Sequence, residues 1–454
     1  MYAFIFKMTE NSELIAIFNA ALVAVDPYHA VLNAIRLEQN DLYIGGVKYP
    51  LDAYNRIVVV GAGKATARMA MAIEALLGMR ISAGLIIVKD GHSAALNIIK
   101  QVEAAHPVPS WAGVDGTQSI LKMAQLADEQ TLFICLLSGG ASALLLAPAE
   151  GLTLEDTQEV TRLLLQSGAN IVEMNAVRKH LSAVKGGKLA QAAFPAQTVS
   201  LILSDVIGDP LDVIASGPTA PDDSTFADAW AVLEKYSLKQ KVPQRVLLHL
   251  QLGFLKKIKE TVKTGDACMR DVHNVVVGNI KLALDAAMEK SRQLGIGAEI
   301  IRADLQGEAR DAAHFLAEAA RDTLKRMQPY ERRCLLSGGE TTVTVHGVGM
   351  GGRNQELALA FAIEIDGMQG VTLLSAGTDG TDGANDAAGA IVDGHVAAQA
   401  RQLGIVPALY LANNDSYHFF QKFDASSGEH THFITGSTGT NVMDMQVMML
   451  NKTR

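Results

Sequence analysis

Cysteine is scarce in this 454-residue chain: Cys135, Cys268 and Cys334 are all it has. An odd, sparse set without C-x-x-C spacing offers neither a disulfide framework nor a zinc site, and it fits a reducing compartment. Cys135 and Cys334 sit inside apolar runs and read as small buried hydrophobes, not nucleophiles. Long hydrophobic runs are also missing. No window reaches the ~18 continuous apolar residues of a membrane span. The apolar stretch before Lys7 is too short for a signal peptide and lacks a basic n-region, and Met8 offers a second start. A basic excess is missing too: 39 Lys and Arg stand against 48 Asp and Glu, a net charge of −9. That excludes a broad nucleic-acid surface but not an anionic small molecule in a pocket with its own local charge. The expectation is a cytoplasmic protein without membrane or nucleic-acid partners, with a homodimer left open.

What is present is a repeated pattern of short apolar run, glycine-rich turn and amphipathic helix. Ile57 to Val60, Gly84 to Val88, Leu132 to Leu137 and Val199 to Leu203 are continuous β-branched or leucine-rich runs. Such runs alternating with helices predict a parallel sheet covered on both faces, the doubly wound α/β class. The pattern restarts after a lysine-rich stretch, residues 239 to 270, read as a helical bridge. Val275 to Val277, Glu299 to Ile301, Leu335 to Leu336, Thr372 to Leu374 and Phe433 to Ile434 form a second strand set, with helices at about 280–294, 307–327 and 354–365. Two α/β domains, 1–240 and 241–454, follow from this reading.

Ligands of open α/β sheets bind at the carboxyl ends of strands, and those positions here are rich in Gly, Ser, Thr, Asp and Lys. Gly61-Ala-Gly63-Lys64-Ala-Thr66 is neither a full dinucleotide fingerprint, which needs glycine in place of Thr66, nor a Walker A loop. It leaves Lys64 at a helix start, suited to a phosphate or carboxylate or merely solvated. Ser138-Gly139-Gly140-Ala-Ser142 and Ser337-Gly338-Gly339-Glu340-Thr-Thr342 end two identical hexapeptides, Cys135–Gly140 and Cys334–Gly339. They can donate to phosphate oxygens or serve as tight turns, and Thr342-Val-Thr-Val alternates like the return of a hairpin. Arg178, Lys179, His180, Lys185 and Lys188 read by default as a solvated charged face. Asp205 follows an apolar strand, where a carboxylate suits a metal ion or a general base. Asp209-Pro is a turn signal. Four glycines between Gly347 and Gly352 precede Arg353, which can grip an anion in two-pronged fashion. Asp379, Asp382 and Asp386 follow a strand and could hold Mg²⁺, and Thr440-Asn441 follow another. Together these loops suggest one cleft between two domains, lined for a phosphate-bearing ligand and a divalent ion.

With His106-Pro-Val-Pro109, Lys185-Gly-Gly-Lys188-Leu, Ser216-Gly-Pro-Thr219 and Gly352-Arg353-Asn-Gln-Glu356 added, the set resembles, in order from about residue 55 to the C-terminus, the glycerate 2-kinase family whose C-terminal part is called MOFRL. The resemblance implies a Rossmann-like N-terminal glycerate kinase domain, a C-terminal MOFRL-type domain, an interdomain active site, and ATP-dependent phosphorylation of D-glycerate at its 2-hydroxyl. It implies essential roles for the residues matching Lys64 and Arg353, with Asp205 and Glu340 in the same site. On this basis Lys64, Arg353 and Asp205 are the catalytic candidates. Gly61, Gly63, Ser138, Gly139, Gly140, Ser142, Ser337, Gly338, Gly339, Thr440 and Asn441 are the ATP-binding ones, and Asp205, Glu340, Asp379 and Asp382 the Mg²⁺ ligands. The rival expectation is an NAD(P)H-dependent hydroxypyruvate reductase using Gly61-Ala-Gly63 for pyrophosphate.

Overall fold

The structure is a computed structural model that describes residues 2–453, with side chains from Asn11 on. It resolves into two compact units. A middle unit runs from Pro27 to Val277, and an end unit joins the chain up to Asp26 with everything from Gly278 on.

The middle unit is built on a six-stranded sheet in the order Lys100–Ala104, Ala83–Lys89, Arg56–Ala62, Thr131–Leu137, Gln197–Leu203, Val272–Gly278. Its first five strands are parallel. Numbered along the chain they stand 3-2-1-4-5, so the order reverses between Arg56–Ala62 and Thr131–Leu137, the switch point where doubly wound sheets bind ligands. The apolar runs are continuous because both faces are covered. Val58, Val60, Phe133, Cys135 and Leu137 pack on Ile120, Ala124, Leu189 and Ala193. Gly61, on the alternate face, meets Thr66 of the helix Thr66–Leu77.

The expected boundary near 240 falls instead at Val277. The helix Gln244–Phe254 buries Val246 and Leu250, with Val242 ahead of it, against Leu163, Val177, Phe226 and Leu233 of the middle unit. Val275 to Val277, expected in the second strand set, forms the edge of the first sheet.

The end unit holds a mixed sheet in the order Gly297–Leu305, Arg332–Gly339, Asp444–Asn451, Val371–Gly377, Gly389–Asp393, His432–Phe433. Only its first pair is parallel. Asp444–Asn451, absent from the expected strands, lies between Arg332–Gly339 and Val371–Gly377 and is buried throughout. The N-terminal helix Tyr2–Ala24 belongs to this unit: Leu14, Ile17, Phe18 and Ala21 are fully buried, and Phe18 meets Phe433 edge-on at 5.5 Å. The hairpin expected after Gly339 does not form; Thr342 makes one isolated bridge, to Glu308. No single helix among the described residues is long and apolar enough to cross a membrane.

Candidate active site

At the switch point of the middle unit two loops are stitched together. Gly63 has φ +140, and a side chain there would put Cβ 2.1 Å from Ser138 Oγ, so only glycine fits. Lys64 N–H donates to Gly139 O (2.9 Å), and Ala65 N–H to Ser138 Oγ (3.1 Å), which also meets Thr66 Oγ1 at 3.0 Å. Gly63 N–H and Thr66 N–H donate to Ile87 O and Gly63 O. The backbone donors from Gly63 to Thr66 are therefore engaged within the protein, and Gly61 and Gly63 serve the close approach of two loops.

The same stitching sets up the side chains. Lys64 is half-buried, and among the described residues its ammonium has no hydrogen-bond or ion-pair partner. A Cβ on Gly140 would lie 3.1 Å from the His106 ring and 3.3 Å from Lys64 Cγ, so ring and ammonium stem flank that glycine. Burial and the charge of Lys64 push His106 down to about 4, leaving it neutral at physiological pH. A Cβ on Gly139 would lie 2.2 Å from Asp205 Oδ2. The unit thus gathers Lys64, Ser138, Gly139, Gly140, His106 and Asp205 around one loop. Ser142, two residues beyond Gly140, meets Arg178, Lys185 and Ser216.

The lysine-rich segment is not the solvated face expected. Lys179 is 3% exposed and pairs with Asp222 and Asp212 at 3.1 and 3.0 Å; Lys185 is 1% exposed. Their partners are distant in sequence, so no local signal marks them.

In the end unit Arg353 opens the helix Arg353–Glu364, and its guanidinium is held by two acids. Nε and Nη2 grip Asp444 at 2.5 and 3.0 Å, and Nη1 meets Glu340 at 2.7 Å. Asp444 is the residue that sequence reasoning missed. Burial pushes its carboxyl up to about 6 against the opposing pull of Arg353. The only available sign was an acid at the head of a largely apolar run that ends at Leu450.

The other candidates in this unit face inward. Asp382 accepts Asn354 N–H (3.0 Å) and Gln355 N–H (2.8 Å) at the start of the Arg353 helix, so its carboxylate faces helix donors. Asp379 caps its own turn through Thr381. Ser337 donates to Gln446 (2.9 Å), Gly338 leaves room for Ile280, and Gly339 packs on Leu305. The two hexapeptide copies therefore differ: one ends a strand in an open turn, the other continues the strand through Gly339. Thr440 donates to Val25 O (2.7 Å), and Asn441 accepts Met443 N–H (3.0 Å). Among the described residues no three His, Cys, Asp or Glu side chains converge as a metal cage. The cysteines are free and buried, and burial pushes Cys135 and Cys334 up to about 12.

Comparison with known proteins covers nearly the whole chain. Residues 13–251 match the family described as Domain of unknown function (DUF4147), and residues 333–444 match the MOFRL family. The D-glycerate 2-kinase of Thermotoga maritima is 44% identical over 87% of this chain and 91% of its own length. A protein of Agrobacterium vitis that carries a provisional hydroxypyruvate reductase name is 37% identical over 96% of this chain and 93% of its own. The crystal structure of glycerate kinase from Thermotoga maritima superposes with a TM-score of 0.85 at 40% identity, covering 98% of this chain and 100% of that one. With the switch-point loop in the middle unit and the held arginine in the end unit, these likenesses establish that the chain belongs to the glycerate 2-kinase family with a MOFRL C-terminal part.

Proposed function

We propose that this chain is an ATP-dependent kinase that phosphorylates D-glycerate at the 2-hydroxyl, giving 2-phospho-D-glycerate and ADP. The observation that carries the reading is the near full-length likeness to a protein named D-glycerate 2-kinase. Phosphoryl transfer asks mainly for positioning and charge neutralisation, and the side chains suit both. The Lys64 ammonium is free to meet developing charge on phosphoryl oxygens. Arg353 keeps guanidinium N–H groups beyond those given to Asp444 and Glu340, and it is oriented before any ligand arrives. Asp205, beside Gly139, takes the proton of the 2-hydroxyl as that oxygen bonds to the γ-phosphorus and the bond to ADP breaks.

The residues do not make a protein-only metal cage, but they fit Mg²⁺ that keeps phosphate and water oxygens and needs one or two carboxylates. Asp205 is the candidate in the middle unit, Glu340 and Asp379 those in the end unit. When bound, the ion neutralises phosphate charge. Buried free thiols suit a reducing cytoplasm.

Regiochemistry tests the assignment. Product made from ATP and D-glycerate should be consumed by enolase alone; a requirement for phosphoglycerate mutase would put transfer at the 3-hydroxyl and refute it. The reductase alternative has relatives bearing that name in its favour. Against it, the N–H groups a pyrophosphate would need at Gly63 to Thr66 are already donated. Oxidation of NADH or NADPH with hydroxypyruvate, at a rate matching ATP turnover with glycerate, would restore that alternative.

A further inference from the structure

The middle unit carries a second set of cations that the mechanism above does not use. Lys185 is 1% exposed, yet among the described residues its ammonium bonds only to Ser142, through the carbonyl oxygen at 2.7 Å and Oγ at 3.1 Å. Arg178 reaches the same Oγ at 2.9 Å and the same carbonyl at 3.5 Å. Among the described residues neither cation has a carboxylate partner. The adjacent lysines differ. Lys179 is neutralised by Asp222 and Asp212, and Lys188 is spent on the carbonyls of Lys179 and Ser182. A buried charge without a counter-ion is costly and is kept only where something offsets it. Burial and the charges of Arg178 and Lys179 already push Lys185 well below the usual lysine range.

The far side of Ser142 is equally committed. Ser216 Oγ lies 2.8 Å from Ser142 Oγ and 3.4 Å from Asn175 Oδ1. Ala215 and Ser216 hold φ of +54 and +62, strained for non-glycine residues. Backbone bonds from Gly186 to Ser216 O (3.0 Å) and from Gly187 to Gly217 O (2.7 Å) hold that loop against the Lys185 loop. Two cations without a carboxylate partner and two polar side chains, Ser216 and Asn175, are thus fixed around one partly exposed serine.

We propose that Arg178, Lys185 and Ser142 form the anion subsite that receives the carboxylate of the substrate and so restrict it to 2-hydroxycarboxylic acids. The inference rests on the kinase reading above. A planar guanidinium offers paired donors to the two carboxylate oxygens, and the ammonium adds a point charge. Ser142 lies two residues beyond Gly140, beside which Lys64 lies, so the subsite and Lys64 share one loop.

The test compares wild type with Lys185→Met, which keeps volume and removes charge, and with Arg178→Gln. Each variant should raise KM for D-glycerate about a hundredfold or more and leave KM for ATP unchanged. Each should also erase most of the preference for D-glycerate over glycerol, while the ligand-free melting temperature holds or rises. Unchanged glycerate KM in a folded variant overturns the proposal. A raised KM for ATP with glycerate KM intact does so too, by assigning the subsite to a nucleotide phosphate. Should Lys185→Met fail to fold, Arg178→Gln, nearer the surface, carries the same comparison. Thermal protection by D-glycerate against glycerol, measured without ATP, separates the two readings. If wild type is protected selectively and Lys185→Met is not, yet no phosphoryl transfer occurs, the kinase reading alone fails. If transfer occurs and both variants behave as wild type, the subsite alone fails.

Discussion

Replacing Asp444 by asparagine should cost activity without costing stability. Asp444 is 1% exposed, and its carboxyl rises from 3.8 to about 6 although Arg353 opposes the rise. A carboxylate moved that far has its ionised form disfavoured by about 3 kcal/mol. The sign follows from linkage. Below the unfolded value of 3.8 the native acid is neutral and its stabilising contribution is complete; as the pH rises through about 6 that contribution is lost. Asparagine never ionises, so the Asp444→Asn protein should match or exceed wild type at pH 7.5. Its advantage should shrink toward pH 5, below the raised value of Asp444, where the wild-type carboxyl is mostly protonated. The turnover number should fall about 10²-fold, because Arg353 loses its two-pronged anchor and is drawn by Glu340 alone. Urea denaturation at the two pH values and steady-state kinetics on the same samples provide the readouts. A variant several kcal/mol weaker at both pH values would show Asp444 to be a structural strut, and unchanged turnover would show that its grip on Arg353 does not matter.

Lys64→Ala should lower kcat about 10²–10³-fold with an unchanged melting temperature, and Arg353→Lys should rescue poorly because lysine cannot span both Asp444 oxygens; wild-type kinetics in either would remove that residue from the reaction. His106, held down to about 4 by burial and Lys64, should make the fold less stable as the pH drops from 6.5 toward 4, and His106→Gln should lack that slope in thermal melts. EDTA should abolish turnover and Mg²⁺ restore it, while EDTA leaves the melting temperature of the ligand-free protein unmoved; full activity in excess chelator would refute the metal's role.

Strands such as Leu132 to Leu137 were legible because a strand covered on both faces is apolar throughout, and a glycine turn bounds so short a run. The strand Asp444–Asn451 was not: Asp444 and Gln446 interrupt its apolar run, and its methionines carry little β preference. Its polar residues are explained only by Arg353 and Ser337, each about a hundred residues away. Lys64 was legible from a glycine turn and a helix start. Lys185 was not, because a charge in a run of charges reads as solvated until Ser142 and Ser216 close around it. The boundary was misjudged for a similar reason: the lysines of 239 to 270 hide Val242, Val246 and Leu250, which bind that segment to the middle unit.

The order of synthesis gives the split end unit a further consequence. Its first helix is made before its partners Ile280–Gln293 and Phe433, which follow more than two hundred residues later. Meanwhile the middle unit is complete once Val277 has emerged. The helix Tyr2–Ala24 must therefore wait with Leu14, Ile17 and Phe18 uncovered while a neighbour folds. The strand Asp444–Asn451, which joins Arg332–Gly339 to Val371–Gly377, is made after both of them. Until then Arg353 lacks Asp444, so the arginine gains its anchor only after that strand has been made.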